Sequence, residues 1–121
     1  MFKESLQAIV EKTDGSLGAE IMGADGLPVE RFFTDEGEAS NLDIASAEFT
    51  SIVRSAIRSG KDLDLGDLRE LVVALDKVTL VIRLFSREYF AVLALKPDGN
   101  LGRGRYELRK AELKLAKEFA V

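Results

Sequence analysis

Three short apolar segments in the second half of the chain constrain the fold more than any other feature. Residues 68–75, 78–85 and 89–95 are rich in Val, Ile, Leu and Phe, and their length and composition favour strands over helices. Both faces of the last two segments are largely apolar. The sequence therefore predicts an α/β fold in which helices cover both faces of a sheet.

The break between the first two segments predicts a tight turn at Asp76 and Lys77. With that turn, Glu70 lies opposite Arg83 on the neighbouring strand. Opposite charges across a strand pair contribute about 0.2–1 kcal/mol, which is enough to help set the register.

A second hairpin is predicted earlier in the chain, where Asp25 and Gly26 separate two extended stretches. An Asp-Gly pair in this position is typical of a two-residue type I′ turn, which needs positive φ at both central positions. This turn places Glu20 opposite Arg31 and gives the hairpin a second pair of opposite charges.

Three segments with helical periodicity complete the pattern. Helices are expected over residues 2–13, from Ser40 to about Ser59, and over 104–119, with loop at 34–40 and Ser40 and Asp43 approximating a capping box. The predicted buried stripes are Phe2, Leu6, Ile9 and Val10 in the first helix, Ala45, Phe49, Ile52, Val53 and Ala56 in the second, and Leu108, Ala111, Leu115 and Phe119 in the last.

The resulting order is α-β-β-α-β-β-β-α in one domain spanning residues 1–121, a length that can support a single core. The apolar runs are too short to cross a bilayer, and the N-terminus has the pattern of an amphipathic helix and not of a signal peptide. We therefore expect a cytoplasmic protein that does not insert into membranes. A formal net charge of −4 argues against nucleic acid as a partner.

No pattern of catalytic or metal-binding residues stands out. The chain has no His and no Cys, which excludes the commonest acid–base group and thiolate chemistry. The segment 59–62 lacks the upstream glycine and the Ser/Thr of a P-loop, and the acids between 62 and 67 lack EF-hand spacing. We expect no cofactor, no metal and no enzymatic activity.

Two motifs, taken with the order of elements, resemble the roadblock family. Residues 17–27 are similar to the strand, D-x-D/N-G-L turn and strand of that family, and residues 101–105 are similar to its L-G-x-x-R entry into the last helix. The family includes dynein light chains and bacterial Mgl-type regulators of gliding-motility GTPases. The resemblance covers nearly the whole chain.

The resemblance implies a five-stranded antiparallel sheet with the second helix on one face and the terminal helices on the other. It also implies a homodimer in which the strand after the second helix pairs with its copy, so that two copies of that helix form a platform for a Ras-like GTPase. The predicted dimer edge strand comprises Leu68, Arg69, Glu70, Leu71, Val72 and Val73. In a monomer this strand is an exposed apolar edge, which proteins normally cover.

The second helix carries a row of small residues on the face opposite its predicted core stripe. Ala47, Ser51 and Ser55 recur every four residues and allow two backbones to approach closely, while Arg54 and Arg58 share the same face. A plain solvent-exposed face is the competing interpretation. We predict that these five residues form the dimer and partner-binding face.

Three functions remain open from the sequence. The leading hypothesis is a non-enzymatic homodimeric scaffold that binds and regulates a Ras-like small GTPase. The second is a dimerising adaptor of the dynein-light-chain type without GTPase contact. The third is a small-ligand sensor, which needs a pocket between sheet and helix that the mostly aliphatic strands do not favour.

Overall fold

The computed structural model describes residues 2–119 and confirms the predicted fold class and order of elements. Its helices are α1 (Phe2–Lys12), α2 (Asp35–Glu38), α3 (Leu42–Asp62) and α4 (Leu101–Phe119), and its strands are β1 (Ser16–Gly23), β2 (Pro28–Phe33), β3 (Glu70–Ala74), β4 (Thr79–Leu84) and β5 (Tyr89–Leu95). The short α2 is an addition, because it lies in the segment predicted as loop. It forms because Thr34 Oγ1 accepts a hydrogen bond from the Gly37 N–H at 3.0 Å and caps the turn.

The five strands form one sheet in the order β2-β1-β5-β4-β3, and every neighbouring pair is antiparallel. Glu20 lies opposite Arg31 and Glu70 lies opposite Arg83, so both predicted registers occur. The Glu70 and Arg83 side chains form their ion pairs with Arg105 and Glu112 of α4. Strands β2 and β3 form the two edges of the sheet.

The turn between β1 and β2 is not the predicted two-residue type I′ turn. Gly26 has a φ of +91°, but Asp25 does not have positive φ. The Gly26 N–H donates to the Gly23 carbonyl at 2.9 Å, and the Gly23 N–H donates to the Leu27 carbonyl at 2.8 Å. This is a three-residue loop with glycine in the left-handed position. The extra residue Val29 then forms a bulge in β2, which restores the predicted strand register.

Helices cover both faces of the sheet, as predicted. One buried cluster lies between the sheet and the pair α1 and α4, and a second lies between the sheet and α3. The first includes Leu6, Ile9, Leu93, Leu108 and Leu115, and the second includes Val53, Leu80, Ile82, Phe90 and Val92. Strands β1, β4 and β5 are therefore mostly apolar along their length, because they are packed from two sides, whereas the edge strands β2 and β3 stay partly exposed.

Helix α3 starts differently from the prediction. Asn41 occupies the N-cap position instead of Ser40, and its side chain makes no capping hydrogen bond. Asp43 does not complete a capping box, because its Oδ1 accepts a hydrogen bond from the adjacent Ile44 N–H at 2.9 Å.

The predicted end and core stripe of this helix also need correction. Gly60 does not stop the helix, which continues to Asp62. Its lack of a side chain instead allows the Gly66 carbonyl to approach closely. Ile52, predicted to be buried with Val53, is 43% exposed, because the buried arc is rotated toward Leu42, Ser46 and Thr50.

Helix α4 begins at Leu101, three residues before the predicted start. Asn100 accounts for the early start, because its Oδ1 accepts a hydrogen bond from the Arg103 N–H at 3.0 Å. Three residues of the predicted stripe are buried, namely Leu108, Ala111 and Leu115. The side chain of the fourth, Phe119, lies outside the described part of the chain.

The acidic side chain of Glu20, in β1, is buried beneath α3. It is 2% exposed, and within residues 2–119 its Oε1 has no hydrogen-bond partner. Burial raises the pKa of the Glu20 carboxyl above its ordinary value, and Asp43 adds to that effect. A hydrogen bond with Ser46 and the charge of Arg31 oppose the rise without reversing it.

We predict that Glu20→Gln raises the free energy of unfolding at neutral pH. A carboxyl whose pKa is raised by folding has no effect on the free energy of unfolding while it is protonated in both the folded and the unfolded state. It lowers that free energy as the pH rises from the ordinary pKa of the group through the raised pKa. The gain should therefore be present at about pH 7 and absent at about pH 3. Urea unfolding at several pH values, at one protein concentration, measures it.

Glu48→Gln is the matched control, because Glu48 is exposed on the same helix that packs over Glu20. It should leave the unfolding free energy unchanged at each pH. A Glu20→Gln variant that is destabilised equally at low and neutral pH would contradict this account of the buried carboxyl.

Candidate functional site

The free edge of β3 lacks the features that protect the other edge of the sheet. Strand β2 carries Pro28 and a bulge at Val29, both of which hinder pairing with another strand. Strand β3 has the sequence Glu-Leu-Val-Val-Ala, with one charge and no proline or bulge. The predicted dimer strand is thus a regular, mostly apolar edge, although Leu68 and Arg69 precede its first residue.

The direction of the polar groups in β3 follows from two hydrogen bonds at its ends. The Leu75 N–H donates to the Val78 carbonyl at 2.8 Å, and the Leu84 N–H donates to the Arg69 carbonyl at 3.0 Å. Because hydrogen-bonded pairs alternate in an antiparallel ladder, residues 69, 71, 73 and 75 face β4. The N–H and C=O groups that point away from the sheet therefore belong to Glu70, Val72 and Ala74.

A two-fold pairing of this edge with a second copy has one register that overlaps all five residues. It places Val72 opposite Val72 and Glu70 opposite Ala74, so that every outward polar group meets a partner. The two Glu70 side chains are then separated by about 13 Å along the strands. Full overlap and charge separation favour the same register.

The side chains of β3 divide between the two faces of the sheet. Leu71 and Val73 pack against the cluster beneath α3. On the other face, Glu70 accepts hydrogen bonds from Arg105 of α4, the shortest at 2.6 Å, and these bonds together with the Glu70 charge raise the pKa of Arg105. Val72 is 39% exposed on that face. Contacts with two helices thus hold the strand while leaving its edge open.

Two contacts with β2 and the β1–β2 turn, at the edge of the sheet far from β3, set the rotation of α3. Arg31 of β2 lies 3.7 Å from the Asp43 carboxylate, and Arg54 Nη1 donates to the Ala24 carbonyl at 3.2 Å. The flank with Asp43 and Arg54 therefore faces β1 and β2. At 100° per residue, the opposite flank faces the β3 edge, and it carries Ala45, Phe49, Ile52 and Ala56.

The five predicted face residues of α3, Ala47, Ser51, Arg54, Ser55 and Arg58, are all exposed. They lie on the outward surface, with Arg54 turned toward the β1–β2 turn. Their role as a dimer and partner face remains a prediction. For contact between two copies of α3 across the β3 edge, the geometry favours the flank with Ile52.

Sequence periodicity placed Ile52 in the core and so missed this flank. The stripe of five apolar positions spans about 100° of the helix, and its margin can be core or interface. The core arc extends away from Ile52 to the buried Ser46 and Thr50, and no signal in the sequence indicates this, because small polar residues on a helix are mostly exposed.

A cleft of about 650 Å³ opens where the end of α3 meets the turn between β4 and β5. Its lining mixes cations and acids, including Lys61, Asp64, Arg69, Arg87 and Glu112. Within residues 2–119 no group of three His, Cys, Asp or Glu side chains could hold a metal ion. No helix in that range is long and apolar enough to span a membrane.

No protein-family model and no curated protein sequence matches the chain. Among solved structures, it is similar to MglC from Myxococcus xanthus, with 36% identity, a TM-score of 0.72 and coverage of 96% of this chain and 97% of that one. It is also similar to a Roadblock/LC7 domain from Streptomyces avermitilis, with 18% identity, a TM-score of 0.83 and 98% coverage of both chains. Gliding protein MglB from Thermus thermophilus matches with 17% identity and a TM-score of 0.81, covering 94% of this chain and 84% of that one.

We predict that Val72→Pro prevents self-association without unfolding the subunit. Proline removes the outward N–H at the centre of the edge, whereas the hydrogen bonds from β3 to β4 do not use that group. Analytical ultracentrifugation should show a monomer for this variant and a dimer for the parent chain, with matching circular dichroism.

Two neighbouring substitutions serve as controls. Val72→Ala keeps the N–H and should still dimerise. Val73→Pro removes a hydrogen bond to β4 and should lower the unfolding free energy by about 1–3 kcal/mol. A Val72→Pro variant that dimerises as tightly as Val72→Ala would exclude the β3 edge as the interface.

Proposed function

The chain belongs to the roadblock family, and we propose that two copies form a non-enzymatic scaffold that binds and regulates a Ras-like small GTPase. The observation that carries this proposal is the open β3 edge beside the exposed flank of α3. Within residues 2–119, the outward N–H and C=O groups of three β3 residues have no backbone partner. Such an edge is a template for another strand, and closed two-fold dimers are the commonest oligomers.

The proposed dimer joins the two sheets through β3 and brings the two α3 helices together. Ile52 and the half-buried Phe49 lie on the flank that faces the second copy. Burying Ile52 and Val72 in both copies adds apolar area to the strand pairing, at about 25 cal/mol per Å². Backbone pairing and apolar contact then act across the same two-fold axis.

The outward surface of the paired helices is the proposed GTPase-binding platform. In each copy it consists of Ala47, Ser51, Arg54, Ser55 and Arg58. Small side chains permit close approach of the GTPase backbone, and the two arginines supply charge that orients it. The platform positions a switch region of the GTPase and contributes no reacting group.

The other two functions receive less support. A sensor needs an enclosed pocket between sheet and helix, but that space is filled by the α3 cluster, and the cleft at its end is open and of mixed charge. A dimerising adaptor would form the same dimer as the proposed GTPase scaffold, and the two functions differ only in the protein that binds α3. The proposal places the dimer in the cytoplasm with its GTPase, and it requires no cofactor.

We predict that the double variant Arg54→Glu, Arg58→Glu weakens GTPase binding by about tenfold or more and leaves the dimer intact. The probes are the Ras-like GTPases encoded in the same genome, purified singly and loaded with GDP or with a non-hydrolysable GTP analogue. Calorimetric titration gives the affinity, and single-turnover GTP hydrolysis shows whether binding changes the rate.

Arg109→Glu, Lys110→Glu is the matched control, because it reverses two charges on α4, on the opposite face of the sheet. It should bind the GTPase like the parent chain. If none of these GTPases binds the intact dimer in either nucleotide state, the GTPase proposal is wrong and the adaptor function takes its place.

A further inference from the structure

The outer face of α4 combines two exposed apolar side chains with a group of cations. Tyr106 is 58% exposed and Leu113 is 70% exposed. They are seven residues apart, so they lie on the same face about 10 Å from each other. Five exposed cations flank them, namely Arg103, Arg109, Lys110, Lys114 and Lys117.

Two carboxylates of this helix, those of Glu107 and Glu112, are directed away from its outer face. Glu107 is buried and pairs with Arg103 at 2.7 Å, and Glu112 pairs with Arg83 of β4 at 2.8 Å. Across the side chains described in α4, residues 101–117, no carboxylate therefore offsets Arg109, Lys110 and their neighbours. This is unusual for an exposed helix, where alternating charges are common, and it occurs in a chain with a net charge of −4.

Tyr106 is held in place although it is exposed. The Arg103 guanidinium carbon lies 5.5 Å from the centre of the Tyr106 ring, and Arg103 is itself fixed by Glu107. An aromatic side chain that is already ordered loses little conformational freedom when it binds a partner. The face thus offers one fixed aromatic contact and one aliphatic contact between positive charges.

The surroundings of this face favour a narrow acidic partner over a broad anionic surface. Helix α1 packs beside α4 on the same side of the sheet and exposes Lys3, Glu4, Glu11 and Lys12, so its outer face carries no net charge. A lipid bilayer or a nucleic acid duplex pressed against α4 would extend over this neutral helix and gain no further attraction there. A single protein segment that runs along α4 would contact the cations of α4 and would not reach the carboxylates of α1.

We propose that the outer face of α4 is a docking site for an acidic segment of another protein. The apolar side chains of the bound segment pack on Tyr106 and Leu113. The carboxylates of the segment pair with Arg109, Lys110, Lys114 and Lys117. This site goes beyond the proposed GTPase function and lies on the face of the sheet opposite α3. One dimer can therefore hold a GTPase on one face and an acidic partner on the other.

The test uses the full chain and a synthetic probe. The probe is a helical peptide of about 20 residues made of Glu, Ala and Leu, with two leucines seven positions apart. We expect amide chemical shifts to change along α4 and not along α3, with an affinity that falls as salt rises from about 0.05 M to about 0.5 M. Arg109→Glu, Lys110→Glu should weaken binding by about tenfold or more, and Leu113→Ser by several-fold.

Two control variants separate this site from general charge effects. Lys3→Glu, Lys12→Glu reverses the same number of charges on α1, and Arg54→Glu, Arg58→Glu reverses them on α3; both should bind the peptide like the parent chain. Equal loss of binding in all three double variants would overturn the proposal. The proposal is also overturned if the parent chain binds vesicles of anionic lipid more tightly than the peptide and Arg109→Glu, Lys110→Glu abolishes that binding. The same holds if this double variant abolishes self-association of the dimer. Failure of these tests leaves GTPase binding at α3 unaffected, so the two proposals fail independently.

Discussion

The structure depends on an antiparallel sheet in which, among residues 2–119, the outer backbone groups of β3 have no hydrogen-bond partner. Backbone N–H and C=O groups need partners, and in β3 those of Glu70, Val72 and Ala74 point away from the sheet. Strand β2 is also an edge strand, but Pro28 and a bulge hinder its pairing with another strand. The two edges of the sheet therefore differ in their capacity to pair with another strand, and only the β3 edge is suited to pair with a second copy.

The helices turn this edge into a larger surface. Contacts of Asp43 and Arg54 with the β1–β2 side set the rotation of α3, which leaves Ile52 near the open edge. On the other face, Arg105 and Arg83 form ion pairs that tie α4 to β3 and β4. The same ion pairs direct the carboxylate of Glu112 away from the outer surface of α4 and leave that surface cationic.

Patterns local to a few residues predicted the architecture well. Runs of Val, Ile and Leu identified the strands, and the opposed charges at Glu20 and Arg31 identified the register even though the turn was wrong. The three-residue loop and the compensating bulge at Val29 could not be predicted, because their effects on register cancel. The rotation of α3 was also beyond reach, since it depends on contacts between Arg54 and a turn that is 30 positions away along the chain.

In the proposed dimer, the outward N–H of Val72 donates a hydrogen bond to a second copy of the chain. Hydrogen–deuterium exchange at single-residue resolution, followed across a dilution series, tests this bond directly. We expect the Val72 amide to be protected at high concentration and to lose protection on dilution, while the Val73 amide, bonded to β4, stays protected throughout. Rapid exchange at Val72 at every concentration, with Val73 protected, would contradict it.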